Sequence, residues 1–109
     1  MLQGQTRQGV RIRLPDRAAG FGDAATPKAV IWTGKKPAQR FRNSIRNLTV
    51  DTGKSNPGAI GIQFVANNQG SMRDVTIVSG DGAGVIGLDL GYTDEQGPCL
   101  IQECRGRRL

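Results

Sequence analysis

Ser44-Ile45-Arg46-Asn47-Leu48-Thr49-Val50-Asp51-Thr52-Gly53 comes back 27 residues later as Ser71-Met72-Arg73-Asp74-Val75-Thr76-Ile77-Val78-Ser79-Gly80. Every apolar position of the first copy stays apolar in the second, and Ser, Arg, Thr and the closing Gly are retained. A second block, Ile60-Gly61-Ile62-Gln63-Phe64, returns 26 residues on as Ile86-Gly87-Leu88-Asp89-Leu90. Two different segments sharing one period make the whole stretch between them the repeating unit. Periods of this size mark chains in which each unit buries its apolar side against the next. The segments are short, β-branched and punctuated by Gly, Asn and Asp, so the unit consists of strands and turns.

Working outward, Val10-Arg11-Ile12-Arg13-Leu14 alternates apolar with cationic residues, the pattern of a strand with one buried face. Ala29-Val30-Ile31-Trp32 is a second early strand, closed by Thr33-Gly34, and Lys35 to Asn43 reads as a basic loop. Two well-matched coils then cover 44–70 and 71–97, and Cys99-Leu100-Ile101 begins another. Within a coil, Ile45 and Leu48 lie three apart while Leu48 and Val50 lie two apart. One face can take all three only if the strand kinks at Arg46-Asn47, so Asn47 and Asp74 are expected at equivalent corners. Leu48 and Val50 are expected to point inward, with Thr49 and Asp51 outward. In the other strand Ile60, Ile62 and Phe64 are read as inward, with Gly61 over Gly87 and Gln63 over Asp89 as outward columns. Leu48 should stack on Val75, Val50 on Ile77 and Phe64 on Leu90. The fold class that follows is all-β: a right-handed, single-stranded parallel β-helix of about four coils of roughly 26 residues, stacked about 4.8 Å apart, with about three strands per coil.

The 109 residues leave room for one domain, read as a partial β-helix over 1–104 with a basic tail at 105–109. An apolar content of 37% and 16 glycines fit a narrow core with tight corners better than a thick globular core. No run of 18 apolar residues exists, so no helical membrane span is encoded. Met1-Leu2-Gln3-Gly4 has no apolar stretch like a signal peptide. The net charge of +6 is 15 Lys and Arg against 9 Asp and Glu, with basic runs at Arg105, Arg107 and Arg108 and at Lys35, Lys36, Arg40 and Arg42. With one Trp and one Tyr there is no set of aromatics to stack bases, so this charge is read as a solvated basic surface rather than a nucleic-acid interface. Cys99 and Cys104 are too few for a disulfide framework and too far apart in an extended segment to bridge. The absence of His removes His-dependent nucleophilic catalysis and His-based zinc sites.

Phe41-Arg42-Asn43-Ser44-Ile45-Arg46-Asn47-Leu48-Thr49-Val50, Asn56-Pro57-Gly58-Ala59-Ile60-Gly61-Ile62, Asn68-Gln69-Gly70-Ser71-Met72-Arg73-Asp74-Val75, Ser79-Gly80-Asp81-Gly82 and Gly87-Leu88-Asp89 together resemble the pectate-lyase-like superfamily. The branch they resemble includes exo-β-1,3-glucanase-like and phage-tailspike-like proteins. The resemblance covers roughly residues 2–104 and lies in corners and core rungs rather than in catalytic motifs. It implies a fragment of an extracellular or cell-surface carbohydrate-active protein, a polysaccharide lyase or glycoside hydrolase, inactive by itself. The alternative it implies is a structural or adhesive β-helix that binds polysaccharide without cleaving it.

Relatives that cleave polysaccharides use carboxylates, or Ca²⁺ with a basic residue, on the outer face of one sheet. The resemblance therefore points to Asp51 and Asp89 as catalytic candidates, although Val78 and Gln63 occupy the neighbouring positions where a second acid would sit. Glycoside hydrolysis needs two carboxyl groups roughly 5–10 Å apart. Asp81 reads as a turn residue. Arg46 and Arg73, at equivalent positions, can hold a uronate bidentately, with Asp74 as a partner against their mutual repulsion; Gln63 completes the substrate-binding candidates. No cofactor or metal site is identified, though Ca²⁺ serves some members of the family. Because Cys99-Leu100-Ile101 begins a rung that the Arg-containing tail is not expected to finish, both ends should lack cover. End-to-end association through a terminal coil, or marginal stability, follows.

Overall fold

The computed structural model describes residues 1–34, 44–65, 70–91 and 99–108. Among them the chain forms β1 (Leu2–Gln3), β2 (Arg11–Arg13), β3 (Lys28–Trp32), β4 (Ser44–Asp51), β5 (Ala59–Gln63), β6 (Gly70–Ser79), β7 (Ile86–Asp89), β8 (Cys99–Gln102) and β9 (Arg105–Arg108). No helix occurs among the described residues. The strands make two sheets. A six-stranded sheet has the path β1-β4-β6-β8, with β2 on β4 and β9 on β6, and a three-stranded sheet runs β3-β5-β7.

Every pairing is parallel and follows the repeat. In the larger sheet Ile45 lies beside Met72, Arg46 beside Arg73, Leu48 beside Val75 and Val50 beside Ile77. In the smaller one Ile60 lies beside Ile86, Ile62 beside Leu88 and Gln63 beside Asp89. Similar residues at one period thus sit side by side, and a slip by one residue would turn each apolar column away from the core.

The corner expected at Asn47 and Asp74 is present. Both adopt φ 54°, as does Glu103 between β8 and β9. Asn and Asp visit this left-handed region at little cost, whereas a glutamate there is strained. The Glu103 carbonyl is held by the guanidinium of Arg7, which also lies 3.6 Å from the Asp74 carboxylate.

Between the sheets Ile45, Leu48, Val50, Ile62, Phe64, Met72, Val75 and Ile77 form the core, edged by Val10, Ile12, Ile31 and Leu88. Each such side chain contributes about 1.5–3 kcal/mol on burial. Gly61 is where the sheets come closest. A Cβ there would fall 2.5 Å from Ile77 Cγ2 and 2.5 Å from the Gly87 carbonyl oxygen. A second cluster, Leu14, Phe21 and Ala59, lies under the segment joining β2 to β3.

Four parts of the sequence reading are corrected. First, the described residues hold two parallel sheets and no closed right-handed β-helix of about four coils. The repeat dictates which strands lie side by side, but it does not dictate closure. The corners at Asn47 and Asp74 are absorbed within β4 and β6, so the segments on either side stay in one sheet instead of forming separate faces. Second, residues 105–108 are not a tail: they form β9, pairing Thr76 with Arg105 through Ser79 with Arg108, and complete the row begun by β8. Third, Thr49 and Asp51 are buried rather than facing solvent. The segment between β1 and β2 lies over them, with the Thr49 hydroxyl donating to the Arg7 carbonyl. Fourth, Gly61 faces Ile77 across the core rather than outward. The basic loop at 35–43 and the Asn68-Gln69 corner lie outside the described residues.

Asn56, buried between three segments, ties the turn after β4 to the early chain. Its amide donates to the carbonyls of Pro15 (2.9 Å) and Thr52 (2.8 Å), and its carbonyl accepts from the Ala18 N–H (2.8 Å). Asn56→Ala should cost about 1–3 kcal/mol in urea unfolding, the usual range for stranding buried polar groups. Asn56→Asp should cost more despite its nearly identical shape, because a carboxylate then faces two carbonyl oxygens. An aspartate variant as stable as the wild type would refute this assignment of donors.

Candidate functional site

The face of the smaller sheet turned away from the core carries a groove of about 460 Å³. Among the described residues its walls come from that sheet and Pro27, and two rows of paired residues frame it. One row is Ala29, Ile60 and Ile86; the other is Trp32, Gln63 and Asp89. Ile60 and Gln63 lie three apart in sequence, so both reach this face only because alternation breaks near Gly61, whose missing side chain lets Ile62 join the core. Ile60, read from the sequence as a core residue, is buried as expected and lies beneath the groove.

Trp32 stands at one end of the second row with 48% of its surface exposed. Beside it Gln63 Nε2 donates to Asp89 Oδ2 at 2.9 Å, and Asp89 Oδ1 accepts the Gly91 N–H at 2.8 Å. The carboxylate is therefore held in place from both sides, and the Gln63 carbonyl oxygen is turned to a known side of the pair. Lys28 lines the groove with its stem, while its ammonium lies 5.4 Å from the centre of the Phe21 ring, a cation–π distance. The result is an open cleft with an apolar floor, one indole wall and a fixed amide–carboxylate pair.

The other candidates are placed elsewhere. Asp51 belongs to the larger sheet and its side chain is 5% exposed. It accepts from Arg11 at 3.0 Å, from the Gly53 N–H at 2.8 Å, and lies 3.6 Å from Arg13. These contacts hold β2 and the following turn, which gives it a structural role. Asp51 and Asp89, on different sheets, are not joined into one site. Arg46 and Arg73 are neighbours in register as expected, but Asp74 pairs with Arg7 instead of with them. The Arg46 Nε is buried without a hydrogen-bond partner among the described residues. Gln63 and Asp89, assigned separate roles from the sequence, come together in one hydrogen-bonded pair. Trp32 was missed as a site residue because its run, Ala29-Val30-Ile31-Trp32, reads as continuous core. The signal that distinguishes it is its place at the end of that run, just before Thr33-Gly34.

Cys104 is free, and burial pushes its thiol above the ordinary range, away from a reactive thiolate. Among the described residues no group of three or more His, Cys, Asp or Glu is placed to hold a metal ion. Asp81 caps a turn by accepting the N–H groups of Ser55 (2.8 Å) and Ala83 (3.0 Å), bonds that hold its carboxyl below its ordinary value of 3.8. Comparison with family models, curated proteins and solved structures found no match.

Two measurements follow. Asp51→Asn should lower stability by about 1–3 kcal/mol, since it removes the charge shared by two arginines in a buried place, and Asp89→Asn, at a half-exposed position, should cost clearly less. Equal losses in denaturant unfolding would contradict the structural role of Asp51. For Asp81 the folded carboxyl titrates lower than the unfolded one. Its stabilisation is present above the ordinary carboxylate range and disappears as pH falls through the folded value. The stability gap between wild type and Asp81→Asn should therefore narrow on acidification; a gap that widens would exclude those hydrogen bonds.

Proposed function

We propose that the groove on the smaller sheet binds a polysaccharide chain and that this chain does so without cleaving it. The observation that carries the proposal is the exposed indole of Trp32 in line with the Gln63–Asp89 pair across an open groove. A pyranose ring has one face of C–H groups and a rim of hydroxyls. An indole supplies a flat apolar surface for the first, and a fixed amide and carboxylate accept and donate to the second. Ligand sites in general combine an apolar floor with a few placed polar groups, which is what Ile60 and Ile86 provide beneath Gln63 and Asp89. The groove crosses all three strands and is open to solvent, which suits a chain polymer more than a small enclosed ligand.

Binding without turnover is favoured by the acids themselves. Among the described residues that line the groove, Asp89 is the one carboxylate, and Asp51 is committed to Arg11 and Arg13. A two-carboxylate hydrolysis has no pair to work with among the described residues of the groove. The resemblance of the coil motifs to carbohydrate-active proteins is consistent with the ligand class.

Titration of intrinsic tryptophan fluorescence with a panel of neutral and uronate-containing oligosaccharides tests the reading. At least one should quench or shift the Trp32 emission saturably. By titration calorimetry, because the variant retains no tryptophan to emit, Trp32→Ala should weaken binding by about tenfold or more, as aromatic anchors commonly do, and Asp89→Ala by less. Reducing ends and unsaturated uronates should not accumulate. Binding that survives Trp32→Ala, or product formation abolished by Asp89→Asn, would overturn the proposal.

A further inference from the structure

The edge of the larger sheet formed by β9 repeats a pattern found at its opposite edge. Arg11, Ile12 and Arg13 of β2 lie beside Thr49, Val50 and Asp51, and these lie beside Thr76, Ile77 and Val78. Arg105, Gly106 and Arg107 of β9 follow in the same columns. Both outermost strands thus present arginine, core position, arginine. At β2 the two charges converge on one carboxylate of the adjoining strand, Asp51, at 3.0 and 3.6 Å. At β9 the adjoining positions on β6 are Thr76 and Val78, which carry no charge, and the far edge of β9 is unpaired among the described residues.

The core column is also unfinished. Ile12, Val50 and Ile77 run through it, and then Gly106 supplies no side chain. A Cβ built on Gly106 would meet no heavy atom within 4 Å. A cavity of about 290 Å³ opens there, lined by Ile77, Val85, Gly87, Gly106 and Arg107 among others. Val85, Ile86, Leu90 and Leu100 are exposed toward the same end of the stack.

We propose that the β9 edge takes an added strand from another polypeptide, in which two carboxylates flank an aliphatic residue. Main-chain hydrogen bonds to the unpaired edge would hold it, as in strand addition generally. The aliphatic side chain enters the cavity over Gly106 and continues the column Ile12, Val50, Ile77. The carboxylates meet Arg105 and Arg107 as Asp51 meets Arg11 and Arg13. The chain's own Thr49-Val50-Asp51 is the internal precedent for such a strand. A second copy is the poorer occupant. Head-to-tail stacking brings Leu2 over Ile101 favourably but sets Arg11 over Arg105 and Arg13 over Arg107, and directly opposed like charges are destabilising.

Fluorescence anisotropy with a labelled peptide centred on Glu-Val-Glu, compared with Lys-Val-Lys and Glu-Ser-Glu peptides, tests this on the full chain. The first should bind saturably and the other two about tenfold or more weaker, the scale set by charge reversal and by loss of an anchor. Arg107→Glu should cancel the preference for Glu-Val-Glu, and Arg105→Glu together with Arg107→Glu should transfer it to the Lys-Val-Lys peptide. Gly106→Ile should fill the cavity and abolish the advantage of Val over Ser. If any of these variants fails to fold by circular dichroism, the three peptides on the wild type decide alone. Equal affinity for the acidic and basic peptides, no peptide binding, or capture of a sulfated oligosaccharide in place of the peptide would overturn the proposal. So would concentration-dependent self-association that saturating Glu-Val-Glu peptide leaves unchanged. None of these readouts involves Trp32, so this result and that of the saccharide titration stand apart.

Discussion

The in-register parallel pairing of β4 with β6 organises everything else in this chain. Seven residue pairs join these strands, and they set Ile45 beside Met72, Leu48 beside Val75 and Val50 beside Ile77. The same pairing brings Asn47 and Asp74 to matched left-handed corners. Once those strands are aligned, the outer pairs have no freedom of register: β1 and β2 must meet β4 on either side of its corner, and β8 and β9 must meet β6 likewise. The smaller sheet is positioned by the close approach at Gly61, which presses Ile62 and Phe64 into the core supplied by the larger sheet.

Charge is distributed according to this stacking. A parallel in-register ladder puts like residues side by side, which is favourable for aliphatic columns and unfavourable for charged ones. Arg46 beside Arg73 shows the unfavourable case, since Asp74, the nearest acid in sequence, is drawn away by Arg7. Arg11 and Arg13 show how it is relieved, by a single acid on the adjoining strand instead of a third arginine. Asp51 is accordingly an ion-paired carboxylate built into the larger sheet: it accepts from Arg11 and the Gly53 N–H, with Arg13 at 3.6 Å, and is shielded from solvent.

The repeat made the strands, their parallel pairing, their register and the corners at Asn47 and Asp74 legible, because all of these depend on which residue lies beside which. It did not make closure legible, because whether two strand segments belong to one sheet depends on how a corner such as Asn47 is absorbed. It also misled at Gly61, where simple alternation predicts an outward position; the close contact with Ile77 overrides the period of two. For the site, the Gln63 and Asp89 column was legible as an outward pair, and the structure adds the hydrogen bond that joins them. Trp32 was hidden in an apolar run. Asp51 was read as outward because the groups that meet it are Arg11 and Arg13, residues some 40 positions distant that sequence periodicity does not connect to it.

Arg105-Gly106-Arg107 shows how one stretch changes meaning with its neighbours. As sequence it reads as a solvated basic end. Once paired with β6 it becomes a row whose two arginines repeat Arg11 and Arg13, and whose glycine interrupts a column of aliphatic side chains. A glycine at a core position is destabilising unless something else fills the space, and two adjacent guanidinium groups on one edge repel unless an acid lies between them. Both demands fall at the same place on the sheet and would be met by one strand of alternating acid and aliphatic character. The groove at Trp32 lies on the other sheet and makes no such demand: its carboxylate is already paired with Gln63, and its floor of Ile60 and Ile86 needs only a flat apolar surface laid across it. The two proposals, polypeptide at the β9 edge and saccharide at the groove, therefore rest on different chemistry, because β9 has an unpaired edge among the described residues whereas the groove lies on the face of a sheet.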